Sequence, residues 1–371
     1  MSYSLETLLG WRHLTEAVEV VKNGLPKVVP DAFWTVKEQV VGDKARTFET
    51  YGQRKVARQV PAGAPFKQAA KVDYSQRDFN LIGFGEVMPF DNELITVFRQ
   101  WDKWEHQHKW AIDQVRDQGE KFATLFDNAR VAVLHSMLAH GAAYFDSDGN
   151  LLPDSSGASL TISQDIPAAN AGTLLDVDES TAIVTASWAT STTNIVQQVR
   201  NLKALAMKRS GEPLKYAFYG KNVAGYIATN DSAKTYYPYQ NDGAFAKQIM
   251  HEGKIPKGFM DLEWIPMQDA FFVKSDGTYA VPFPADQVTF TPEIDRRNYT
   301  FYEGTTLVPS QLGVYGDAKE AFASVVERPG MGRYAYMEVG AGVTKIFDAG
   351  FDKFLPRFKK PNAYFRLDTT P

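Results

Sequence analysis

Side chains that often perform catalysis or bind metals are present, but their spacing forms no recognisable motif. His106 and His108 are two residues apart, so on a helix they would point to different sides. His135 and His140 are five apart, whereas two helical metal ligands are usually four apart. The chain has no cysteine, which excludes a disulfide, a thiolate metal site and a cysteine nucleophile. The sequence predicts no catalytic residue, no metal site and no cofactor.

Two glycine-containing segments are similar to ligand-binding loops but are incomplete. The Gly83-Phe84-Gly85 segment lacks the third glycine of a dinucleotide-binding fingerprint. Residues 83–90 are instead predicted to form the end of a strand and the turn after it. Residues 146–150 begin like a calcium loop but lack the glycine and glutamate that such a loop needs. We predict a turn there as well. An enzyme that uses only carboxylates stays open, because one sequence does not show which of them meet.

Composition indicates an ordinary globular protein. Hydrophobic residues make up 44% of the 371 residues and charged residues 23%, with a net charge of −4. The length suffices for two or three compact units. No stretch of eighteen apolar residues and no basic, apolar leader is evident, so we expect no membrane association and no signal peptide.

The most unusual segment is a basic ribbon from Lys44 to Ile82. Two extended runs flank a Pro-Ala-Gly-Ala-Pro turn at 61–65, which predicts a hairpin. Between residues 44 and 71 the net charge is +6, so the remainder of the chain carries −10. The basic residues are Lys44, Arg46, Arg54, Lys55, Arg58, Lys67 and Lys71.

This ribbon needs a partner surface, because a lone two-stranded hairpin is marginally stable in water. The opposite charge of the remaining chain favours another copy of the same chain as that partner. A second interpretation is nucleic-acid binding, with aromatic residues as stacking platforms between the charges. These aromatic residues are Phe48, Tyr51, Phe66 and Tyr74. The acidity of the remaining chain makes this second interpretation less attractive.

A long helix is predicted at residues 104–140, where apolar residues recur at steps of three and four up to Gly141. Beside that stripe lies an acidic row. The row consists of Asp113, Asp117, Glu120 and Asp127. It is either a solvated face or the surface that receives a neighbour's basic ribbon.

The remaining elements predict a mixed α+β protein. A helix is expected at 193–210, capped by Ser191, Thr192 or Thr193, and strands at 181–186 and 215–219. Residues 230–243 are predicted to form a polar, tyrosine-rich loop. The tail from Tyr334 to Pro371 is predicted to alternate short strands with turns. Trp11 and Trp34 either fill a local core or anchor an N-terminal arm on a neighbour.

The order of these parts resembles the lambda-type coat protein family of tailed phages. The passages that carry the resemblance are the helix ending Leu-Ala-His-Gly-Ala-Ala-Tyr at 138–144, Trp188 before the second helix, the strand 262–265 after Gly-Lys-Ile, and Val-Pro-Phe-Pro-Ala-Asp-Gln-Val at 281–288. Each passage is diffuse, and the specificity lies in their order.

The resemblance implies the Hong Kong-type phage coat fold, divided into named parts. These are an N-terminal arm (N-arm, 1–42), a hairpin reaching a neighbour (E-loop, 43–85), a peripheral (P) domain (86–174) with a long spine helix at 104–140, an axial (A) domain (175–325), and a return to the P domain (326–371). The E-loop residues Arg46, Arg54, Lys55, Arg58, Lys67 and Lys71 would contact the neighbour's acidic row. The loop containing Tyr236, Tyr237 and Tyr239 would lie at the capsomer axis.

The resemblance further implies a major capsid protein that assembles into pentamers and hexamers of an icosahedral DNA-phage head. Expected partners are further copies, a separate scaffolding protein, a decoration protein, the portal and non-specifically touched DNA. The expected location is the virion, after assembly in the host cytoplasm. The alternatives are a non-viral encapsulating shell of the same fold and a nucleic-acid-binding protein that uses ribbon 44–71.

Overall fold

The computed structural model describes most of the chain in separate ranges. The described residues are 28–50, 74–89, 105–172, 174–175, 178, 182–236, 247, 249, 251–256, 258–268, 272–273, 278–309, 313–314, 325–329, 331–340 and 343–370. Within these ranges, no helix is long and apolar enough to cross a membrane.

Five α-helices are described with both ends. They are α1 (Ala32–Thr35), α2 (Glu105–His140), α3 (Ile195–Ser210), α4 (Val223–Thr229) and α5 (Asp231–Tyr236). Short 3-10 turns occur at Ala168–Asn170, Phe259–Asp261 and Pro361–Ala363.

Nineteen strands lie in the described ranges. They are β1 (Lys37–Val40), β2 (Lys44–Thr50), β3 (Tyr74–Asn80), β4 (Ile82–Pro89), β5 (Ala142–Phe145), β6 (Leu151–Leu152), β7 (Leu160–Ser163), β8 (Ala171–Gly172), β9 (Leu214–Tyr219), β10 (Glu263–Pro266), β11 (Phe272–Val273), β12 (Tyr279–Ala280), β13 (Gln287–Pro292), β14 (Tyr299–Pro309), β15 (Gly313–Val314), β16 (Val325–Pro329), β17 (Gly332–Gly340), β18 (Val343–Phe358) and β19 (Phe365–Asp368).

The largest sheet is built around the 16-residue strand β18. Its strand order is β1-β14-β18-β17-β15, with β16 paired to β14 and β4 paired to β18. The prediction of short strands and turns in the tail is therefore wrong. So is the predicted turn at 83–90, because residues 82–89 form β4, which pairs antiparallel with residues 347–354 of β18.

A second sheet has the order β10-β9-β13-β19-β8 and is buried on both faces. In β9, Tyr216 and Phe218 belong to the core cluster that contains the C-terminal half of α2, whereas Ala217 and Tyr219 belong to the cluster that contains α3 and α4. This alternation follows from the two-residue repeat of a strand. The second sheet thus lies between α2 and the pair α3–α4.

The long helix α2 confirms the prediction for 104–140 almost to the residue. Its 36 residues would span about 54 Å at the usual rise. The helix ends at Gly141, which has φ +69° and donates from its backbone N–H to the Met137 carbonyl at 2.9 Å. Side chains of the second sheet cover the other terminal carbonyls: Thr289 Oγ1 donates to Leu138 O at 2.9 Å, and Gln287 Nε2 donates to Ala139 O at 2.6 Å.

Three smaller predictions are also corrected. Helix α3 begins at Ile195 and is capped by Asn194, whose side chain accepts from Gln197 N, rather than by residues 191–193. The predicted strand 181–186 is wrong, because Ala182 makes only an isolated bridge to Leu175 and residues 183–186 are irregular. Part of the predicted loop 230–243 is helical, since α5 occupies 231–236.

Candidate subunit-assembly surfaces

The base of the predicted hairpin is present. Strands β2 and β3 pair antiparallel from Lys44 opposite Asn80 to Thr50 opposite Tyr74. Residues 51–73 lie outside the described part of the chain, and with them Arg54, Lys55, Arg58, Lys67 and Lys71. Arg46 is exposed, but its Nε donates to Asp78 Oδ1 on β3 at 3.0 Å. This basic residue therefore has a partner within its own hairpin.

The base of the hairpin is closed by a backbone hydrogen bond and joined to β18 by an ion pair. The Leu81 N–H donates to Asp43 O at 2.9 Å, and Lys353 Nζ contacts Asp43 Oδ1 at 2.5 Å. Gly304 of β14 packs against this hairpin base: a Cβ there would lie 2.4 Å from Leu81 Cδ1 and 3.2 Å from Gly42 O. A Cβ would displace the Leu81 methyl group and crowd the Gly42 carbonyl oxygen, so glycine suits the close approach of the hairpin base to β14.

The acidic row lies on α2, as predicted, but it is not purely acidic. Asp117 and Glu120 are exposed, and Asp113 and Asp127 are half-buried. Arg116 lies within the row, with its guanidinium 3.7 Å from Asp113 Oδ1 and 3.8 Å from Glu120 Oε1. The sequence analysis missed this arginine, which lowers the negative charge that the row presents.

The remaining predicted contact residues are placed as follows. Trp34 packs within its own chain, with its ring 5.8 Å from that of Phe301. Tyr236 is half-buried and meets Phe259 edge to face at 5.9 Å, so it contributes to the core around α3 and α4. Trp11, Tyr237 and Tyr239 lie outside the described residues.

A buried charge network ties α2 to the large sheet, and the sequence analysis did not find it. Arg130 donates from Nε and Nη2 to the two carboxylate oxygens of Asp352, at 2.6 and 2.7 Å, and from Nη1 to Glu303 Oε1 at 3.0 Å. Lys37 Nζ donates to the same Glu303 oxygen at 2.8 Å. Asp352 is fully buried. The available signal was an arginine between the apolar residues at 129 and 131–134 of α2.

Within this network, the effect of burial on each pKa is opposed by the effect of the neighbouring opposite charges. Burial alone would lower the pKa of Arg130, but Asp352 and Glu303 offset that effect and raise the pKa above its ordinary value. Burial raises the pKa of Asp352, and Arg130 opposes this rise. Burial also acts to raise the pKa of Glu303, yet Arg130 and Lys37 hold it below its usual value. Two cations face two anions, so the network serves structure rather than binding of an external ion.

The histidines and carboxylates do not converge on a reactive site in the described ranges. His135 is fully buried in α2, where burial lowers its pKa to about 3. Burial also lowers the pKa of His140 at the end of that helix. Among the described residues, no group of three or more histidine, aspartate or glutamate side chains is arranged to hold a metal ion. At 146–150, Asp146 Oδ1 accepts from the backbone N–H groups of Asp148 and Asn150 and forms the predicted turn.

No protein-family model matches the sequence, and no curated protein sequence matches it. Solved structures do match. A prophage protein from Escherichia coli CFT073, assigned as a capsid protein, aligns with a TM-score of 0.51 and 11% identity over 97% of this chain and 99% of that one. A phage-related protein from Bordetella bronchiseptica RB50 aligns with a TM-score of 0.44 and 9% identity over 97% of each chain. The mature capsid of bacteriophage PhiM1 aligns with a TM-score of 0.44 and 11% identity over 94% of this chain and 89% of that one.

The first of these matches carries the assignment of fold, because it extends over nearly the full length of both chains. At 11% identity, it establishes architecture and leaves function to be argued separately. The described residues form a mixed α+β fold, which agrees with that match. The chain therefore has the Hong Kong-type phage capsid fold.

Proposed function

We propose that this chain is a major capsid protein that self-assembles into the pentamers and hexamers of an icosahedral DNA-phage head. The observation that supports the proposal is the fold match to the prophage capsid protein over 97% of this chain and 99% of that one. The role is structural, without catalysis. The protein resides in the virion after assembly in the host cytoplasm.

In this proposal the parts of the fold have separate tasks. Residues 1–42 are the N-arm, 43–85 the E-loop, 86–174 and 326–371 the P domain, and 175–325 the A domain. One qualification comes from β19, which pairs with β13 and so shares a sheet with the A domain although it lies in the returning segment. Tyr237 and Tyr239 remain candidates for the capsomer axis, while the packing of Tyr236 on Phe259 favours a core role for that residue.

The proposed contact between copies joins the basic E-loop to the acidic row of α2. The exposed positions of Asp117 and Glu120 and the net +6 of residues 44–71 support it. An exposed ion pair contributes only about 0–1 kcal/mol, but a closed shell repeats each pair many times. At physiological ionic strength the screening length is about 8 Å, so assembly weakens as salt rises.

Other partners follow from the proposal. A separate scaffolding protein directs assembly, a portal occupies one vertex, and a decoration protein binds the outer surface. Packaged DNA is touched non-specifically.

Charge reversal tests the proposed contact. We expect Arg54→Glu, Lys55→Glu and Arg58→Glu together to abolish assembly, because the hairpin then repels the acidic row, while the unfolding transition stays unchanged. Reversing Asp117→Lys and Glu120→Lys in the same chain restores opposite charges across the contact and should restore assembly. Light scattering measures particle formation, and circular dichroism measures folding.

A matched control reverses three exposed arginines outside the hairpin: Arg200→Glu, Arg296→Glu and Arg297→Glu. This variant changes net charge by the same amount and should still assemble. If the control fails as completely as the hairpin variant, net charge rather than the proposed contact governs assembly. If reversal of the row does not rescue the hairpin variant, the pairing of hairpin and row is wrong.

A further inference from the structure

The hairpin leaves the body beside an arginine that is almost completely buried. Arg357 of β18 is 1% exposed, and its guanidinium carbon lies 3.7 Å from the centre of the Phe79 ring in β3. From Nη1 it donates to the Ser163 carbonyl at 2.6 Å, and from Nη2 to Asp165 Oδ2 at 3.1 Å. Arg357, from the large sheet, therefore stacks on the hairpin. Its orientation is set by a third segment, the end of β7 and the loop that follows it.

Asp165 connects the hairpin and the body through one oxygen atom. Its Oδ2 accepts from Arg357 and also from Arg77 Nη1 of β3, at 2.8 Å. The backbone of Asp165 is held at φ +53°, a left-handed conformation uncommon for residues other than glycine, and its N–H donates to Ser163 Oγ at 3.0 Å. The loop thus holds a strained conformation that presents this carboxylate between the two arginines.

Other contacts hold the start of the hairpin: Lys353 pairs with Asp43, and the Gly42 N–H donates to Thr305 Oγ1 at 3.0 Å. In the described ranges, β2 and β3 form a two-stranded sheet of their own and do not pair with the large sheet. The Arg46–Asp78 ion pair lies within the hairpin and joins its two strands only. Side-chain contacts at the base therefore contribute to the angle at which the hairpin extends.

We propose that Asp165 is a positioning residue for assembly: by engaging Arg77 and Arg357 together, it fixes the direction in which the hairpin leaves the body. The inference rests on the proposed function, since a hairpin that reaches a neighbouring copy must be aimed before contact. Such pre-organisation removes an ordering cost from each contact. Phe79 supplies the surface on which Arg357 stacks, and the strained loop keeps the carboxylate in place.

A distance measurement on the unassembled chain tests this directly. The chain has no cysteine, so Ala62→Cys, in the sequence turn of the hairpin, and Lys121→Cys, exposed on α2, accept two nitroxide labels without further changes. Pulsed electron resonance then gives the distribution of distances between them. We expect Asp165→Asn to broaden or shift this distribution, because asparagine tolerates the left-handed backbone but carries no charge for the two arginines.

Two further variants make the result specific. Arg77→Gln removes the hairpin side of the connection, lies on an exposed surface, and should change the distribution in the same direction if Asp165→Asn fails to fold. Asp78→Asn breaks the ion pair inside the hairpin and should leave the distribution as in the parent chain. An unchanged distribution in both connection variants, or a parent distribution already as broad as theirs, would overturn the proposal.

The outcome is separable from that of the proposed function. Light scattering of the parent chain reports whether it assembles at all, whereas the distances are measured on dilute, unassembled protein. If the parent assembles, Asp165→Asn should slow assembly while its unfolding transition stays cooperative. A merely structural role would move the unfolding transition and leave the distances unchanged.

Discussion

Arg130 shows how a single charged residue is accommodated in the core of this fold. Its guanidinium lies between Asp352 and Glu303 and also over the rings of Phe301 and Phe354, at 5.4 and 5.6 Å. Planar donors that match two carboxylates explain why arginine rather than lysine stands there. The residue links α2 to β14 and β18, so it helps to hold this helix on the large sheet.

Replacing Arg130 should be strongly destabilising. In Arg130→Met the carboxylates of Asp352 and Glu303 are left in the core without their shared cation, and we expect a loss of about 3–5 kcal/mol in the free energy of unfolding. Adding Asp352→Asn should recover part of that loss, because Lys37 still pairs with Glu303. Urea unfolding at neutral pH measures both effects.

Arg116→Met is the matched control for this prediction. It removes an arginine from the same helix, but its partners Asp113 and Glu120 face solvent, so the expected change is about 0–1 kcal/mol. If Arg130→Met costs no more than Arg116→Met, the buried network does not stabilise the fold as described.

His135 predicts a pH dependence of stability. Burial lowers its pKa to about 3, whereas the pKa of this residue in the unfolded chain is about 6.5. The unfolded state therefore binds a proton that the folded state does not, and stability is full above the unfolded pKa and falls as the pH drops below it. The expected slope is about 1.4 kcal/mol per pH unit.

His135→Gln isolates this contribution. The variant lacks the titrating ring, so its free energy of unfolding should fall less steeply between about pH 6.5 and pH 4 than that of the parent chain. His140 and the carboxylates titrate in both proteins and cancel in the comparison. Equal slopes in the two proteins would show that His135 is not held neutral in the folded state.

At the scale of elements, the contact between α2 and β18 depends on a glycine. A Cβ on Gly350 would lie 2.6 Å from Phe122 Cδ1 and 2.8 Å from Phe126 Cε2. Those two rings are stacked, with their centres 6.1 Å apart and an interplanar angle of 9°. The close approach of helix to sheet thus requires a residue without a side chain.

Gly350→Ala should destabilise the protein by about 1–3 kcal/mol, because the added methyl group overpacks this contact. Adding Phe122→Leu should recover part of the loss by making room. Gly83→Ala on the adjacent strand is the control: its Cβ would meet only Lys353 Cγ at 3.8 Å, an ordinary contact. Thermal or urea unfolding compares the three variants, and equal stability of Gly350→Ala and Gly83→Ala would contradict the packing described.

The elements that sequence reasoning found are those with a local signal. Helix α2 has a long apolar stripe and a glycine stop, and both are read within a few turns. Strand β18 was missed because it pairs on both sides, and because Asp348, Gly350 and Asp352 resemble turn residues although they are buried against α2. Residues 181–186 have a strand-like composition, but within the described ranges only Ala182 among them makes a bridge, and pairing rather than composition makes a strand.

In the candidate site, too, features with a local sequence signal were predictable and long-range contacts were not. The hairpin and the acidic row were predictable because charge and periodicity lie in continuous segments. Arg130 and Asp352 are 222 residues apart in sequence, and Arg357 and Asp165 are 192 apart, so neither pair leaves a local pattern. Arg116 was overlooked because the row was defined by its acids alone.

In the whole molecule, an uneven distribution of charge along the chain accompanies the phage capsid fold. The fold corresponds along nearly all of its length to a prophage capsid protein, and the ribbon 44–71 carries +6 in a chain of net −4. In the function that we propose, this charge difference attracts one copy of the chain to another, and repetition of the contact around five- and six-fold axes closes a shell.

Negative-stain electron microscopy of the purified full chain tests the central claim most directly. Samples should cover a range of protein concentration, salt and added polyethylene glycol as a crowding agent. The account predicts uniform closed shells, or rings with five- and six-fold symmetry, that dissociate as salt rises. A monodisperse monomer or dimer under every one of these conditions would contradict it.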